Sequence, residues 1–246
     1  MSLIHDVLEY IGYIFFPSRC IFCDRLTEMW VYTCPECADS LPWIEGEVCS
    51  YCGAEKAVCQ CSGRHGSYFD ASASALYYTG TVKDCIRRFK FDGIKNTYTE
   101  LSSLMAQTCR KRYGDIEFDY VAYVPMDKKR EKQRGFNQSM LLAKGIAEEL
   151  NIPFGKNLLI KLYRTDVQHE LNEVERKGNL LGAFDVSSAY NLEGRTVLLV
   201  DDVKTSGATL NECGKMLYLN GAERVFCLTA ALVNSKIDEK QKGEGD

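Results

Sequence analysis

The chain has 246 residues, a net charge of −4 and 46% hydrophobic residues, which are ordinary values for a globular protein. A chain of this length forms one or two domains. Its slightly acidic balance gives no overall attraction to nucleic acid. No apolar run reaches the roughly 20 residues of a membrane-spanning helix. The start also lacks the basic region of a secretory signal. We therefore expect a cytoplasmic protein without a membrane span.

The two ends of the chain have different patterns. Residues 1–17 predict an amphipathic helix, because apolar residues recur at helical spacing from Leu3 to Phe15. Its polar face is not basic, which favours docking on the protein body over binding to a membrane surface. Residues 235–246 are charged and lack apolar anchors, so we expect a disordered tail.

Eight of the twelve cysteines fall within residues 18–66, in four closely spaced pairs. The pairs are Cys20-x2-Cys23, Cys34-x2-Cys37, Cys49-x2-Cys52 and Cys59-x-Cys61. Such pairs direct two thiolates to one ion, so the segment predicts two closed, structural Zn²⁺ sites. Chain order assigns the first two pairs to one ion and the last two to the other. A cross-braced arrangement, disulfides, an iron–sulfur cluster and His65 as a substitute ligand are the alternatives that the spacing leaves open.

Strands and helices alternate over residues 67–234. Strands are predicted over 69–79, 119–125, 195–202 and 223–233, and helices over 81–91, 98–113, 138–150 and 210–219. This alternation predicts an α/β domain with a parallel sheet flanked by helices. Ligands of such sheets bind at the carboxyl ends of the strands. The loops that follow Pro125 and Asp201 should therefore share one crevice. The remaining cysteines are expected in the core: Cys85, Cys109, Cys213 and Cys227.

The most informative motif is VLLVDDVKTSGAT, over residues 197–209. Four apolar residues predict a buried strand that ends near Asp201 and Asp202, whose carboxylates can accept hydrogen bonds from ribose hydroxyls. The following helix N-terminus, with its free backbone N–H groups, suits a phosphate. Five residues would surround that phosphate: Thr205, Ser206, Gly207, Ala208 and Thr209. The motif resembles the phosphoribosyl-pyrophosphate (PRPP) signature of type I phosphoribosyltransferases.

Two further segments fit a PRPP site. The first is a basic loop predicted over residues 127–134 and followed by Gly135, in which Arg130 and Arg134 are suited to the pyrophosphate group. The second is a polar stretch over residues 161–184, predicted as a mobile lid. Its candidate contacts are Arg164, Gln168, Arg176 and Asn179. Another basic cluster, over residues 83–95, is as consistent with a solvated face as with a binding surface.

Together the cysteine pairs, VPMDKKREKQRGFNQ, R-T-x-x-Q-x-x-L from Arg164 to Leu171 and the PRPP signature resemble the ComF family. These proteins combine a phosphoribosyltransferase-like domain with an N-terminal double zinc ribbon, and are associated with competence and uptake of single-stranded DNA. The resemblance implies that residues 201–209 hold PRPP, which binds with Mg²⁺, and that the loop around Arg134 meets its pyrophosphate. Lys204 and Ser206 depart from the usual residues of the signature.

The resemblance leaves two classes of function open. In the first, the protein is a phosphoribosyltransferase whose Asp201 and Asp202 hold the ribose in the catalytic site while an acceptor displaces pyrophosphate. In the second, it is a non-catalytic factor that binds single-stranded DNA, a helicase or another DNA-uptake component. Phe89, Phe91 and Phe136 lie near basic residues and could stack on bases, although each also fits a packed core.

Overall fold

A computed structural model describes residues 17–61, 66–91, 95–162 and 183–237. Most of the predicted N-terminal helix and tail, His65 and the predicted lid residues Arg164, Gln168, Arg176 and Asn179 lie outside these ranges. Within the described ranges, no helix combines the length and apolar character that crossing a membrane requires.

The centre of the fold is a parallel sheet of four strands. The strands are β1 (Ala71–Tyr77), β2 (Tyr120–Tyr123), β5 (Thr196–Lys204) and β6 (Arg224–Leu232). Their order across the sheet is β1-β6-β5-β2. A separate antiparallel pair is formed by β3 (Leu159–Lys161) and β4 (Phe184–Val186). The predicted α/β fold with a parallel sheet is thus confirmed, and the β3–β4 pair on either side of the predicted lid is an addition.

Helices cover both faces of the sheet. They are α1 (Pro35–Ser40), α2 (Gly80–Phe91), α3 (Lys95–Tyr113), α4 (Lys128–Arg134), α5 (Gln138–Leu150) and α6 (Ala208–Leu219). Alternate residues of β5 face opposite layers, as the period of a strand requires. Leu198 and Val200 belong to the core under α2, α3 and α5, whereas Val197 and Leu199 belong to the core under α6 and β4. Both faces of the strand are therefore buried, which explains its continuous apolar sequence.

Two elements differ from the sequence prediction. The basic segment after β2 is the helix α4 and not a loop, because Asp127 caps its N-terminus and Gly135 ends it in a left-handed conformation. Strand β5 does not end at Asp202. It continues to Lys204, because β6 runs beside it and pairs Val203 with Ala231 and Lys204 with Leu232.

The cysteine-rich segment covers the outer edge of β1. Trp43 forms a bridge with Leu76, the Ile44 N–H donates to the Ala75 carbonyl, and the Tyr77 N–H donates to the Pro42 carbonyl. These contacts pair backbone groups that an open sheet edge would leave exposed. The segment is therefore attached to the body of the protein along a strand.

Candidate active site and metal centres

The eight cysteines form two clusters, each made of two consecutive pairs. Cys20, Cys23, Cys34 and Cys37 form the first cluster, and Cys49, Cys52, Cys59 and Cys61 form the second. In each, the four thiol sulfurs lie within 4.8 Å of one another. Chain order therefore predicted the grouping correctly, and the cross-braced alternative is wrong.

The geometry of both clusters fits a tetrahedral zinc ion. The Cys23 and Cys34 sulfurs are 3.7 Å apart, as are those of Cys52 and Cys59. A Zn–S bond of about 2.3 Å places tetrahedral ligands about 3.8 Å apart, whereas a disulfide bond is about 2.05 Å long. All of these cysteines are unbridged. Four thiolates leave no open ligand position, so the two sites are structural zinc sites.

The paired carboxylates of the signature lie at the carboxyl end of β5. The Ser139 hydroxyl, in the first turn of α5, donates to Asp201 Oδ1 at 2.7 Å, and the Asp202 N–H donates to the same oxygen at 2.9 Å. Lys90, at the end of α2, forms a 2.9 Å ion pair with Asp202 Oδ2. Three elements thus converge on the two carboxylates.

The two carboxylates have different electrostatic environments. Burial disfavours the charge on Asp201, and the neighbouring Asp202 charge adds to this, so the pKa of Asp201 rises to about 7. The Ser139 hydroxyl, the Asp202 N–H and Lys90 oppose the rise. Asp201 therefore holds a proton more readily than an ordinary carboxyl group does, beside Asp202, which is ion-paired with Lys90.

The signature turn follows directly. Gly207 has φ +78° and precedes α6, so it has a left-handed conformation that suits glycine. Thr205, Ser206 and Ala208 are exposed, while Gly207 and Thr209 are partly buried. The turn therefore presents hydroxyl groups to solvent at the N-terminus of α6, where the Ala208 N–H donates to Ser206 Oγ at 3.4 Å, and a helix N-terminus with hydroxyl groups can receive a phosphate.

A cationic pocket of about 430 Å³ adjoins the carboxylates. Lys90, Phe91, Arg130, Gln133 and Arg134 line it. Arg130 and Arg134 are one turn apart in α4, so they share a face of the helix. Lys90 both lines this pocket and pairs with Asp202, so this one side chain links the pocket to the carboxylates; we refer to the pocket and the carboxylates together as the crevice.

Some residues at or beside this crevice were not singled out from the sequence, among them Lys90, Ser139 and Gln138. Lys90 belongs to the basic cluster over residues 83–95, whose positive charge could have indicated an anion-binding residue. Gln138 ends the RGFNQ motif and Ser139 follows it, but neither a glutamine nor a serine by itself indicates a binding site. Gln138 is buried, accepts a hydrogen bond from Arg134 through Oε1, and has no partner for Nε2 among the described residues.

Comparisons with known proteins agree with this architecture. A phosphoribosyl transferase domain model matches residues 137–245, and a double zinc ribbon domain model matches residues 12–75. The chain is 32% identical over 199 residues to competence protein ComFC of Bacillus subtilis, covering 76% of this chain and 78% of the relative. It is 29% identical to competence protein F of Haemophilus influenzae, covering 86% of this chain and 95% of that protein.

Other relatives carry a different name. The DNA utilization protein YhgH of Escherichia coli is 28% identical, covering 87% of this chain and 90% of that protein. Among solved structures, glutamine PRPP amidotransferase from B. subtilis aligns over 54% of this chain and 25% of that chain, with 24% identity and a TM-score of 0.38.

The ComFC relative is more than 30% identical and covers over two thirds of both chains, and the two domain models match the cysteine-rich segment and the second half of the chain. The chain therefore belongs to the ComF family of competence proteins.

Proposed function

We propose that the crevice binds PRPP and transfers its ribose 5-phosphate to an acceptor, with release of pyrophosphate. The observation that carries this proposal is the convergence of Asp201, Asp202 and the α4 cations on one crevice beside the signature turn. The phosphoribosyl transferase domain match supports the same assignment. The turn from Thr205 to Thr209 would hold the 5-phosphate, and the carboxylates would hold the ribose hydroxyls.

The reaction breaks the bond between ribose C1 and a pyrophosphate oxygen, and the pyrophosphate leaves with the electron pair. A nitrogen nucleophile then bonds to C1. The chain contributes by positioning the ribose and by stabilising the charge on the leaving group. Lys90, Arg130 and Arg134 are placed to supply that stabilisation, and Mg²⁺ would enter with PRPP and share the charge of its pyrophosphate.

Gln138 would supply a buried hydrogen-bond donor to the bound ligand. Its Nε2 has no partner within the described part of the chain, and an unpaired buried donor costs about 1–3 kcal/mol. A ligand oxygen that accepts from Nε2 would remove this cost. The predicted lid residues Arg164, Gln168, Arg176 and Asn179 would close over the sugar.

Calorimetric titration with PRPP and Mg²⁺ tests the binding site. We expect micromolar-range binding by the zinc-loaded protein, and its loss in the Asp201→Asn/Asp202→Asn variant. The matched control is Asp115→Asn/Glu117→Gln, which replaces two exposed carboxylates in the segment before β2 and should bind normally. Absence of binding by folded wild-type protein would contradict the proposal.

Turnover requires a separate measurement. Pyrophosphate release is followed with nucleobases, amines and oligonucleotides as acceptors, in the wild type and in the Asp201→Asn/Asp202→Asn variant. Acceptor-dependent release by the wild type alone would establish the transferase. Tight PRPP binding with no release across these classes would favour a sensor in which the site binds but does not react.

A second candidate function is binding of single-stranded nucleic acid, and one observation favours it. The Phe91 side chain is 71% exposed, and the Arg134 guanidinium lies 5.5 Å from its ring centroid. A second cavity of about 530 Å³, lined by Asp84, Arg87, Arg88 and Phe91, adjoins it. An exposed ring among arginines is suited to stacking on a base while the cations hold the phosphates.

Fluorescence anisotropy with a labelled single-stranded oligonucleotide tests this function. We expect affinity to fall steeply with salt and to drop by about tenfold in Phe91→Ala, since base stacking on an aromatic ring contributes on the order of 1–3 kcal/mol. Leu219→Ala removes another exposed apolar side chain, on α6, and should have no effect. An affinity that changes neither with salt concentration nor in Phe91→Ala would contradict the assignment. A helicase partner and a cytoplasmic location stay predictions.

A further inference from the structure

Lys204 occupies an unusual position for a lysine. It is the last residue of β5, two residues after Asp202, and its side chain is only 2% exposed. Its Nζ donates to the Tyr51 carbonyl at 2.7 Å and to the Ser72 hydroxyl at 2.8 Å. A buried lysine is costly unless its charge is compensated, so the surroundings of this ammonium group need an explanation.

The compensation comes from the second cysteine cluster. Tyr51 lies between the cluster members Cys49 and Cys52, so the carbonyl that Lys204 binds belongs to the metal-binding turn itself. A Zn²⁺ ion with four thiolates carries a net charge of −2, which a nearby ammonium group offsets. The Lys204 Nζ also lies 5.7 Å from the Tyr51 ring centroid and 5.0 Å from that of Phe69, and such cation–π contacts stabilise a desolvated cation.

The same end of the side chain also contacts the signature turn. A Cβ added to Gly207 would lie 2.9 Å from Lys204 Cε and 3.7 Å from its Nζ, so the end of the lysine side chain packs against the turn. The backbone of Lys204 is fixed by β6, through its pairing with Leu232. The Lys204 side chain thus joins the turn to the second cluster, because it packs against Gly207 and donates to the Tyr51 carbonyl.

We propose that the second zinc site positions the PRPP signature turn through Lys204, so that metal occupancy of that site and PRPP affinity are linked. The PRPP part of this inference rests on the function proposed above. Linkage is reciprocal, so bound PRPP also protects the second cluster against loss of its metal. Lys204 acts as a positioning residue, because its ammonium group donates to the Tyr51 carbonyl of the ribbon and to the Ser72 hydroxyl.

The test compares Lys204→Met with the wild type. Methionine keeps the length and apolar stem of the side chain and removes the ammonium group. Arg112→Met is the matched control, because Arg112 also joins the ribbon to the body, donating to the Ile44 and Gly46 carbonyls, but has no contact with the turn. Ser72→Ala removes a single hydrogen bond to Lys204 and serves as the milder variant if Lys204→Met fails to fold.

Site-resolved alkylation provides the readout. Zinc-loaded protein is exposed to a chelator and a thiol-alkylating reagent, and mass spectrometry measures the rate at each cysteine, with and without PRPP and Mg²⁺. Without PRPP, we expect second-cluster cysteines to react about tenfold faster in Lys204→Met, while first-cluster cysteines keep the wild-type rate. Arg112→Met should leave the second-cluster rate close to that of the wild type.

With PRPP, the second cluster of the wild type should be protected by about fivefold or more, and that of Lys204→Met should not be. Calorimetry should show PRPP affinity about tenfold weaker in Lys204→Met. Equal alkylation rates in the variant and wild type, or PRPP protection that persists in the variant, would overturn the inference. If wild-type protein binds no PRPP, the proposed function fails, and the rates measured without PRPP alone decide whether Lys204 supports the metal site.

Discussion

At the scale of residues, the site places two carboxyl groups, those of Asp201 and Asp202, where their negative charges repel each other. Asp201 and Asp202 are adjacent, but among the described residues only Asp202 has a cation within ion-pair distance, Lys90 at 2.9 Å. Hydrogen bonds from Ser139 and the Asp202 backbone do not fully compensate Asp201, whose pKa rises to about 7 because of burial and the Asp202 charge. Such strain is typical of binding sites, where a ligand supplies the missing partners.

We predict that Asp201→Asn stabilises the folded protein at pH 8. A carboxyl group whose pKa rises on folding contributes stability below its unfolded value of about 4, and this contribution is lost as pH rises through about 7. Asparagine carries no charge to lose. The melting temperature of the variant should therefore exceed that of the wild type at pH 8, by roughly 2–4 °C for each kcal/mol of repulsion removed.

Thermal unfolding at pH 5 and pH 8 measures the effect, and the difference between variant and wild type should grow with pH. Asp115→Asn, at an exposed position, should show no such trend. A variant that is less stable than the wild type at pH 8 would show that the hydrogen bonds to Asp201 outweigh its repulsion from Asp202.

Residues of the site could be predicted from the sequence only where they lie next to one another along the chain. The carboxylates and the Thr205–Thr209 turn are contiguous, so the sequence displays their pattern. Lys90 is more than one hundred residues away from Asp202, and only the fold brings them together. Lys204 was a departure from the signature without an evident role, since its partners Tyr51 and Ser72 come from distant segments.

At the scale of elements, the helix pair α3 and α5 shows how small residues set packing. Gly145 of α5 faces Ser102 of α3, and a Cβ at Gly145 would lie 2.7 Å from Ser102 Cβ. No real Cβ contact is that short, so the helices would have to separate. Both helices cover the face of the sheet that carries Leu198 and Val200.

We predict that Gly145→Ala destabilises the fold by about 1–3 kcal/mol through overpacking, despite the better helix propensity of alanine. The double variant Gly145→Ala/Ser102→Gly should recover part of this loss, because it moves the small residue to the facing helix. Denaturant unfolding of the two single variants and the double variant measures the coupling. Additive effects would mean that the helices adjust without strain.

Elements were predicted well where periodicity or caps specify them. Helix α5 spans Gln138–Leu150, as its apolar spacing indicated. Helix α4 was predicted as a loop, although Asp127 and Gly135 are ordinary start and stop signals, because its sequence KKREKQR has no apolar residues that could show helical spacing. The extension of β5 to Lys204 could not be predicted locally, since it depends on pairing with β6.

At the scale of the whole molecule, the zinc ribbon and the sheet domain share a core. Cys20, Phe22 and Leu41 are buried in the same cluster as α2 and α3 residues. Arg88 of α2 donates to the Ile21 and Phe22 carbonyls, within the first metal-binding turn. Two cations of the body therefore bind the two turns, Arg88 the first and Lys204 the second.

We predict that zinc removal destabilises the whole chain and not the ribbon alone. Structural zinc contributes on the order of 10 kcal/mol to the folding of small domains, and part of the main core is built on ribbon residues. Calorimetry after chelation should show one transition, lowered by roughly 10 °C or more, that added Zn²⁺ restores and added Mg²⁺ does not. If the ribbon were an independent module, its loss would leave a second transition at the original temperature. The shared core argues against that result, because exposing Phe22 and Leu41 also uncovers the packed faces of α2 and α3.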